Sequence, residues 1–244
     1  MFGRIAGLVY GVVCYGISMT VFVYAMGFLA NIGLAKSVDS PAYTPFVHAL
    51  AVDIGLLSLF AVQHSVMARQ GFKRMWTRIV PAQVERSTYV LFSSAVLLFL
   101  FLKWEPMRGV IWNIESAAGH YALYGLYIVG WAIVLAATFL INHFDLFGLR
   151  QVWLSLLGQK YTGLLFHTPG FYRFVRHPLY MGWLLVFWSA PRMTVAHLLF
   201  AVVATIYILI AIQFEERDLM QIHSEYAEYR NRVPMLIPRG SSRI

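Results

Sequence analysis

The chain has 244 residues, 59% of them hydrophobic and 12% charged, about half the charge of a soluble domain. Mean hydropathy is +0.65. These values exclude a soluble globule and a disordered chain, and they predict an all-α, polytopic membrane protein. The single cysteine, Cys14, excludes a disulfide within the chain and any cysteine-based zinc or iron–sulfur site.

Taken in chain order, apolar runs predict spans at about 5–30, 46–68, 87–102 and 119–141, each close to the roughly 20 residues that cross a bilayer core. No Asp, Glu, Lys or Arg lies between Arg4 and Lys36, between Glu115 and Asp145, or between Arg192 and Glu215. The first run exceeds the 7–15 residues, roughly, of a cleavable signal's apolar core, so it is expected to remain as a span. A shorter piece, 179–190, ends at Pro191, and a last run covers about 194–214. The short piece cannot cross alone. With the Pro191–Arg192 turn it predicts the first arm of a helical hairpin. The expectation is about five transmembrane elements in one domain, 1–244. Residues 1–141 would supply four spans, and 142–244 a cytoplasmic-face cofactor site with hairpin and tail.

The net charge of +8 is a topology signal before it is anything else. Arg4, Arg69, Lys73, Arg74, Arg78, Arg86, Arg150, Lys160, Arg173, Arg176, Arg217, Arg230, Arg232, Arg239 and Arg243 fall on one side of this arrangement. Only Lys36, Lys103, Arg108 and Arg192 fall on the other. The excess of positive charge marks the first side as cytoplasmic, with both termini there. A lipid bilayer is the expected partner, and nucleic acid is not. No obligate protein partner is evident. Trp76, Trp104, Trp112 and Trp153 fall near span ends, where interfacial anchoring is the default expectation.

The chemistry concentrates in the last third. GFYRFVRHPLYMGW (170–183) is followed by an apolar run and then by QFEERDLMQIHSEYAEYRNRVPMLIPR (213–239). Pro178 suits a first helical position, where its missing N–H costs nothing. A hairpin returns Glu215 and Glu216 to the membrane face that carries Arg176, His177 and Tyr180. An Arg-His pair at a membrane boundary can also be simple snorkelling. The full order Arg-His-Pro-x-Tyr, hairpin, Glu-Glu, Tyr-x-x-Tyr, Val-Pro is much harder to reach by accident.

This segment resembles the cofactor-binding end of the integral-membrane methyltransferases typified by isoprenylcysteine carboxyl methyltransferase and the phospholipid N-methyltransferases. The resemblance implies bound S-adenosyl-L-methionine, held by Arg176, His177, Pro178, Tyr180, Glu215, Glu216 and Tyr229. Carboxylates suit its ammonium and ribose, Arg176 its carboxylate, and aromatic faces its sulfonium. A soluble methyltransferase would show a glycine-rich turn after a strand, and none is present in the sequence.

Two further motifs widen the likeness. The second span ends Gln63-His64-Ser65, and the fourth ends Asn142-His143-Phe144-Asp145. With the overall length, they make the chain similar to the NnrU-related branch of that family. The branch implies a small apolar thiol as acceptor, methanethiol, and dimethyl sulfide as product. His64, His143 and Asp145 then become candidates for activating the thiol, because the thiolate is the better nucleophile. Asp53 lies three turns before His64, on the same helix face, and a carboxyl inside a span is a functional candidate by default. Each of these residues could equally be a helix–helix hydrogen bond.

A metal site built from His64, His143, Asp145 and His177 lacks the spacing that would support it, and no metal is expected. Two other classes compete with the thiol methyltransferase. One is an enzyme acting on a lipid or isoprenoid-thiol acceptor, and the other is a non-enzymatic NnrU-like membrane protein of nitrogen-oxide metabolism. A transporter should show broken spans in two matching halves, and the only irregular element here is the hairpin.

Overall fold

The computed structural model describes residues 1–238. Arg239 and Arg243, counted above on the basic side, lie outside the described residues. In chain order the elements are α1 (Phe2–Ala30), α2 (Phe46–Ala68), α3 (Gln70–Trp76), α4 (Ala82–Lys103), β1 (Val110–Asn113), α5 (Ala117–Ile141), α6 (His143–Leu146), α7 (Leu149–Leu156), a 3-10 turn (Gly170–Arg173), α8 (Pro178–Trp188), β2 (Arg192–Thr194), α9 (Val195–Ile222) and α10 (Tyr226–Arg232). The protein is all-α apart from the short β1–β2 pair. Among the described residues five helices, α1, α2, α4, α5 and α9, are long and apolar enough to cross a membrane.

Two span boundaries move by five residues or more, for one reason. α4 begins at Ala82 rather than 87, and α9 runs to Ile222 rather than 214. Both extensions are polar turns that continue the helix, and a search for apolar runs cannot see them. In α9 the consequence is functional. Glu215 and Glu216 lie inside a continuous helix, about two turns before its end, so the helix backbone holds them rigidly. α8 begins at Pro178 as expected. It stops before Pro191, where the Trp112 indole donates to Ala190 O at 3.0 Å and the Ile114 N–H to Pro191 O at 2.9 Å. Trp104 departs from the interfacial expectation: it is fully buried, and its indole donates to Val38 O. Its ring packs edge-on against Phe28, so it is a core residue.

The chain groups into two compact units. The first comprises Met1–Ile111, Asn142–Gly163 and Thr194–Leu198. Within it α4 packs on α1 and α2, and α7 packs on α1. Asp39 clasps the start of α9 there, accepting from Asn31 Nδ2 at 2.7 Å, from the Thr194 hydroxyl and from His197 Nδ1 at 3.2 Å. The second unit comprises Trp112–Ile141, Leu164–Met193 and the chain from Leu199 onward. Its main contact is α5 against α8.

That α5–α8 contact depends on two glycines facing each other. A Cβ on Gly130 would stand 2.9 Å from Gly182 O, and one on Gly182 would stand 2.8 Å from Gly130 O. Small residues let helix backbones approach this closely, and dispersion then does the holding. Because the obstacle is backbone, neither helix can yield cheaply. Gly130→Ala is expected to cost about 1–3 kcal/mol, lowering the melting temperature in detergent by about 2–4 °C per kcal/mol. Gly125 on the same helix faces open space, so Gly125→Ala should melt with the parent.

Candidate active site

In the second unit the sequence motif becomes one ion-pair cluster around a buried carboxylate. Glu216 is 2% exposed. Its Oε1 accepts from Arg176 Nε at 2.7 Å and from His177 Nε2 at 3.0 Å, and its Oε2 pairs with Arg230 Nε at 2.9 Å. With two guanidiniums on it the carboxylate is ionised, so the His177 proton resides on Nε2. Arg176 also donates from Nη1 to the carbonyls of Arg230 and Val233. The backbone closes the same loop, since the N–H groups of Arg176 and His177 donate to Pro234 O at 2.9 Å and Met235 O at 3.1 Å. The chain before α8 and the tail after α10 are thereby tied to α9 through one side chain. Removing one partner from such a buried pair costs about 3–5 kcal/mol.

Glu215 is different. Its side chain is 44% exposed, and its Oε2 accepts from the Tyr180 hydroxyl at 2.9 Å. His177 Nδ1 stands 3.9 Å from the same oxygen, so the imidazole lies between the two glutamates. Aromatic rings gather nearby. Phe166 meets Tyr226 at 5.8 Å and Tyr229 at 5.5 Å between ring centroids, and Tyr226 meets Tyr229 at 5.6 Å. The Tyr229 hydroxyl donates to Tyr172 O at 2.6 Å. Burial pushes the Tyr229 phenol up to about 12 and raises Tyr172 and Tyr226 as well, so all three stay neutral donors near pH 7. Tyr226 is 2% exposed, and its hydroxyl has no hydrogen-bond partner among the described residues.

The structure thus brings together Arg176, His177, Pro178, Tyr180, Glu215, Glu216 and Tyr229, and adds Arg230, Tyr226 and Phe166. Arg230 carried a signal in its place just after Tyr229, but counting charges for topology absorbed it. Tyr226 stood in the Tyr-x-x-Tyr motif without a distinct role. Phe166 sits in a polar interval and carried none.

The acceptor-side candidates belong to the first unit, and each has protein partners. The hydroxyl of Tyr89 lies 2.9 Å from His64 Nε2, Ser93 Oγ lies 3.2 Å from Nδ1, and Phe60 stacks at 5.2 Å. His143 is buried, with Nε2 2.9 Å from the Tyr15 hydroxyl. Asp145 pairs with Arg150 Nη1 at 2.9 Å and accepts from the Tyr161 hydroxyl at 3.2 Å, while Asn142 caps its N–H at 3.0 Å. His64 and His143 border one core, His64 through Tyr89 and His143 through Phe147. Asp53 is not brought to His64. It is fully buried, and it accepts the Glu105 N–H at 2.8 Å. Among the described residues no group of three His, Cys, Asp or Glu side chains is placed to hold a metal ion.

Burial holds the His143 imidazole below its ordinary value, which fixes a sign. Above an ordinary histidine pKa near 6.5 both folded and unfolded chains are neutral, and the fold keeps its full stability. As pH falls below that value the unfolded chain takes up a proton that the folded one refuses, so stability is lost. Melting temperature in detergent should therefore drop between pH 7 and pH 5. His143→Gln, which keeps an amide for Tyr15, should show a smaller drop. Equal drops would remove His143 from the acid limb.

No family model matches the chain, and no solved structure does. Among curated proteins it is 58% identical over 232 residues to the methanethiol S-methyltransferase of Crocosphaera subtropica, covering 95% of this chain and 91% of that protein. It is 50% identical to the methanethiol S-methyltransferase of Mycobacterium tuberculosis over 96% of this chain and 97% of that one. A more distant relative is the nurim of Rattus norvegicus, 31% identical over 72% of this chain and 70% of its own.

Proposed function

The chain belongs to the methanethiol S-methyltransferases, and from that premise we propose that it methylates methanethiol to dimethyl sulfide with S-adenosyl-L-methionine, at the cytoplasmic side of a bacterial inner membrane. The reaction releases S-adenosylhomocysteine and the thiol's proton. The donor, when bound, supplies a methyl group already activated on a sulfonium.

The observation that carries the reading is the division between the two glutamates. Glu216 is saturated by Arg176, His177 and Arg230, so it serves as a positioning residue. Glu215, one residue away, keeps an exposed carboxylate beside Tyr180, suited to an ammonium or a ribose diol. The unpartnered Tyr226 hydroxyl fits a ligand with polar groups of its own. The aromatic faces of Phe166, Tyr226 and Tyr229 suit a sulfonium. His177 and Pro178 fix where α8 starts, and Arg176 spends Nε and Nη1 on Glu216 and the tail. This is a binding corner held rigid from behind.

We assign acceptance of the thiol's proton to His64, whose hydrogen bonds to Tyr89 and Ser93 orient the ring. His143, bonded to Tyr15, and Asp145, bonded to Arg150, are assigned to holding that region in shape. Orientation follows from the basic loops, which keep both termini cytoplasmic. Residues 1–244 are taken as one functional domain. A small apolar thiol and its product can pass through lipid, which gives the membrane setting a purpose.

Calorimetry on detergent-solubilised protein should show S-adenosyl-L-methionine binding. Tyr226→Phe should weaken it by about 5- to 30-fold, as expected for one hydrogen bond of about 1–2 kcal/mol. The ligand-free variant should melt no lower than the parent, because the hydroxyl has no partner among the described residues to lose. Unchanged affinity would remove Tyr226 from the site. For the reaction, headspace gas chromatography should detect dimethyl sulfide, and His64→Ala should cut turnover by about 10²–10⁴-fold with cofactor affinity unchanged. Labelled lipid in place of dimethyl sulfide would overturn the acceptor.

A further inference from the structure

Two further buried polar atoms, in the first unit beside a cluster that contains Met67, lack partners among the described residues. On α2, Gln63 donates through Nε2 to Met67 Sδ at 3.1 Å and to Ser93 Oγ at 3.3 Å. Its Oε1 is buried, with no partner among the described residues. Ser93 Oγ also lies 3.2 Å from His64 Nδ1, and the Tyr89 hydroxyl closes on Nε2 of the same ring. Met67 and Tyr89 form one buried cluster with Val90 and Phe147, and Trp76 and Phe72 pack against that cluster. The indole N–H of Trp76 is buried, again without a partner among the described residues. Met67 follows Gln63 by four residues and His64 by three, so it neighbours both on the helix surface.

The pattern is one unpartnered acceptor and one unpartnered donor around a thioether and aromatic walls. A buried donor left unpaired costs about 1–3 kcal/mol, and orphaned N–H groups are rarer than orphaned carbonyls. An interfacial tryptophan would instead present its N–H to headgroups or water. The two orphan atoms are a neutral acceptor and a neutral donor, and the Arg86 guanidinium stands 4.9 Å over the ring of the adjoining Tyr89. A small neutral thiol fits. Its S–H is a weak donor and its sulfur a weak acceptor, and thioether sulfur and ring edges are favourable company for it.

We propose that Gln63 and Trp76 form the thiol-binding subsite, with Met67, Phe72 and Tyr89 as its walls; this rests on methanethiol being the acceptor. Gln63 Oε1 takes the S–H and orients the sulfur. Trp76 N–H donates to the sulfur, and that bond strengthens as negative charge builds there when the proton leaves for His64. His64 is already oriented by the same Ser93 that Gln63 contacts, so one serine sets the geometry of both.

The test compares the parent with Trp76→Phe and with a protein carrying benzothienylalanine at position 76, which keeps both rings and lacks the N–H. Methanethiol added without cofactor should raise the parent's melting temperature in detergent, and the shift should shrink in both variants. In headspace assays KM for methanethiol should rise about tenfold in both, while the calorimetric affinity for S-adenosyl-L-methionine stays within about twofold. The benzothienyl protein without ligand should melt no lower than the parent. An unchanged KM and thermal shift would overturn the subsite. So would a lower ligand-free melting temperature of the benzothienyl protein, which would show that the N–H has a structural partner. If the parent makes no dimethyl sulfide but methanethiol still stabilises it in a Trp76-dependent way, the subsite stands and the reaction falls.

Discussion

The buried carboxylate of Glu216 is the constraint on which the ion-pair cluster at the start of α8 depends. An ionised carboxylate that is 2% exposed needs nearly all its lone pairs filled, because desolvation alone would cost several kcal/mol. Arg176, His177 and Arg230 fill them, and they come from two separate stretches of chain. Two of these partners adjoin Pro178, which begins α8, and the third lies in α10. One charge therefore sets the start of a helix, the path of the tail and the orientation of an imidazole. It also leaves the neighbouring Glu215 to face outward. A chain in which both carboxylates were exposed would bind cations less selectively. A chain in which both were buried would leave one charge without sufficient donors.

Much of the fold was legible because a bilayer imposes a simple code. Apolar length and charge-free runs located the spans, and Pro191 located the hairpin turn. The errors came where the code stops applying. A helix that leaves the apolar layer continues in polar sequence, so the first turn of α4 and the last two turns of α9 were invisible to hydropathy. Trp104 shows a different failure. Its position at a span end matches an interfacial anchor, and only the packing of Phe28 and the carbonyl of Val38 make it a core residue. The short β1–β2 pair had no signal, since three or four residues are too few to show alternation.

The candidate site was legible as a set of residue types but not as a division of roles. Sequence treats Glu215 and Glu216 as equals. The structure separates them by exposure and by partners, a tertiary property with no local signature. Arg230 illustrates the same limit. Its pairing with Glu216 joins α10 to α9, and nothing in the spacing of the two residues distinguishes it from Arg232, whose ion pair with Glu228 is fully in the open. The sequence marks His64, His143 and Asp145 as unusual within or beside spans. Their hydrogen bonds to Tyr89, Tyr15 and Arg150 show that being unusual and being unpartnered are separate matters.

That separation is the more general guide to function in this protein. His143 and Asp145 pair within the protein, with Tyr15 and with Arg150 and Tyr161, so both are explained by the fold before any chemistry is invoked. The buried donors of Tyr226 and Trp76 are not so explained. Leaving either in place costs the fold stability that a phenylalanine would not, and both lie in ordered, well-packed surroundings. A fold tolerates such a cost most readily where a bound molecule recovers it, because ligand binding then adds free energy that the apo protein lacks. The two donors also differ in their neighbours. Tyr226 lies within the field of Glu216, Arg176 and Glu215, suited to a charged, many-handed ligand. Trp76 lies against methionine and aromatic carbon, suited to a small soft one. A methyl donor and a thiol acceptor differ in these same respects, and on that ground the two donors, unpartnered among the described residues, are proposed for the two halves of the reaction.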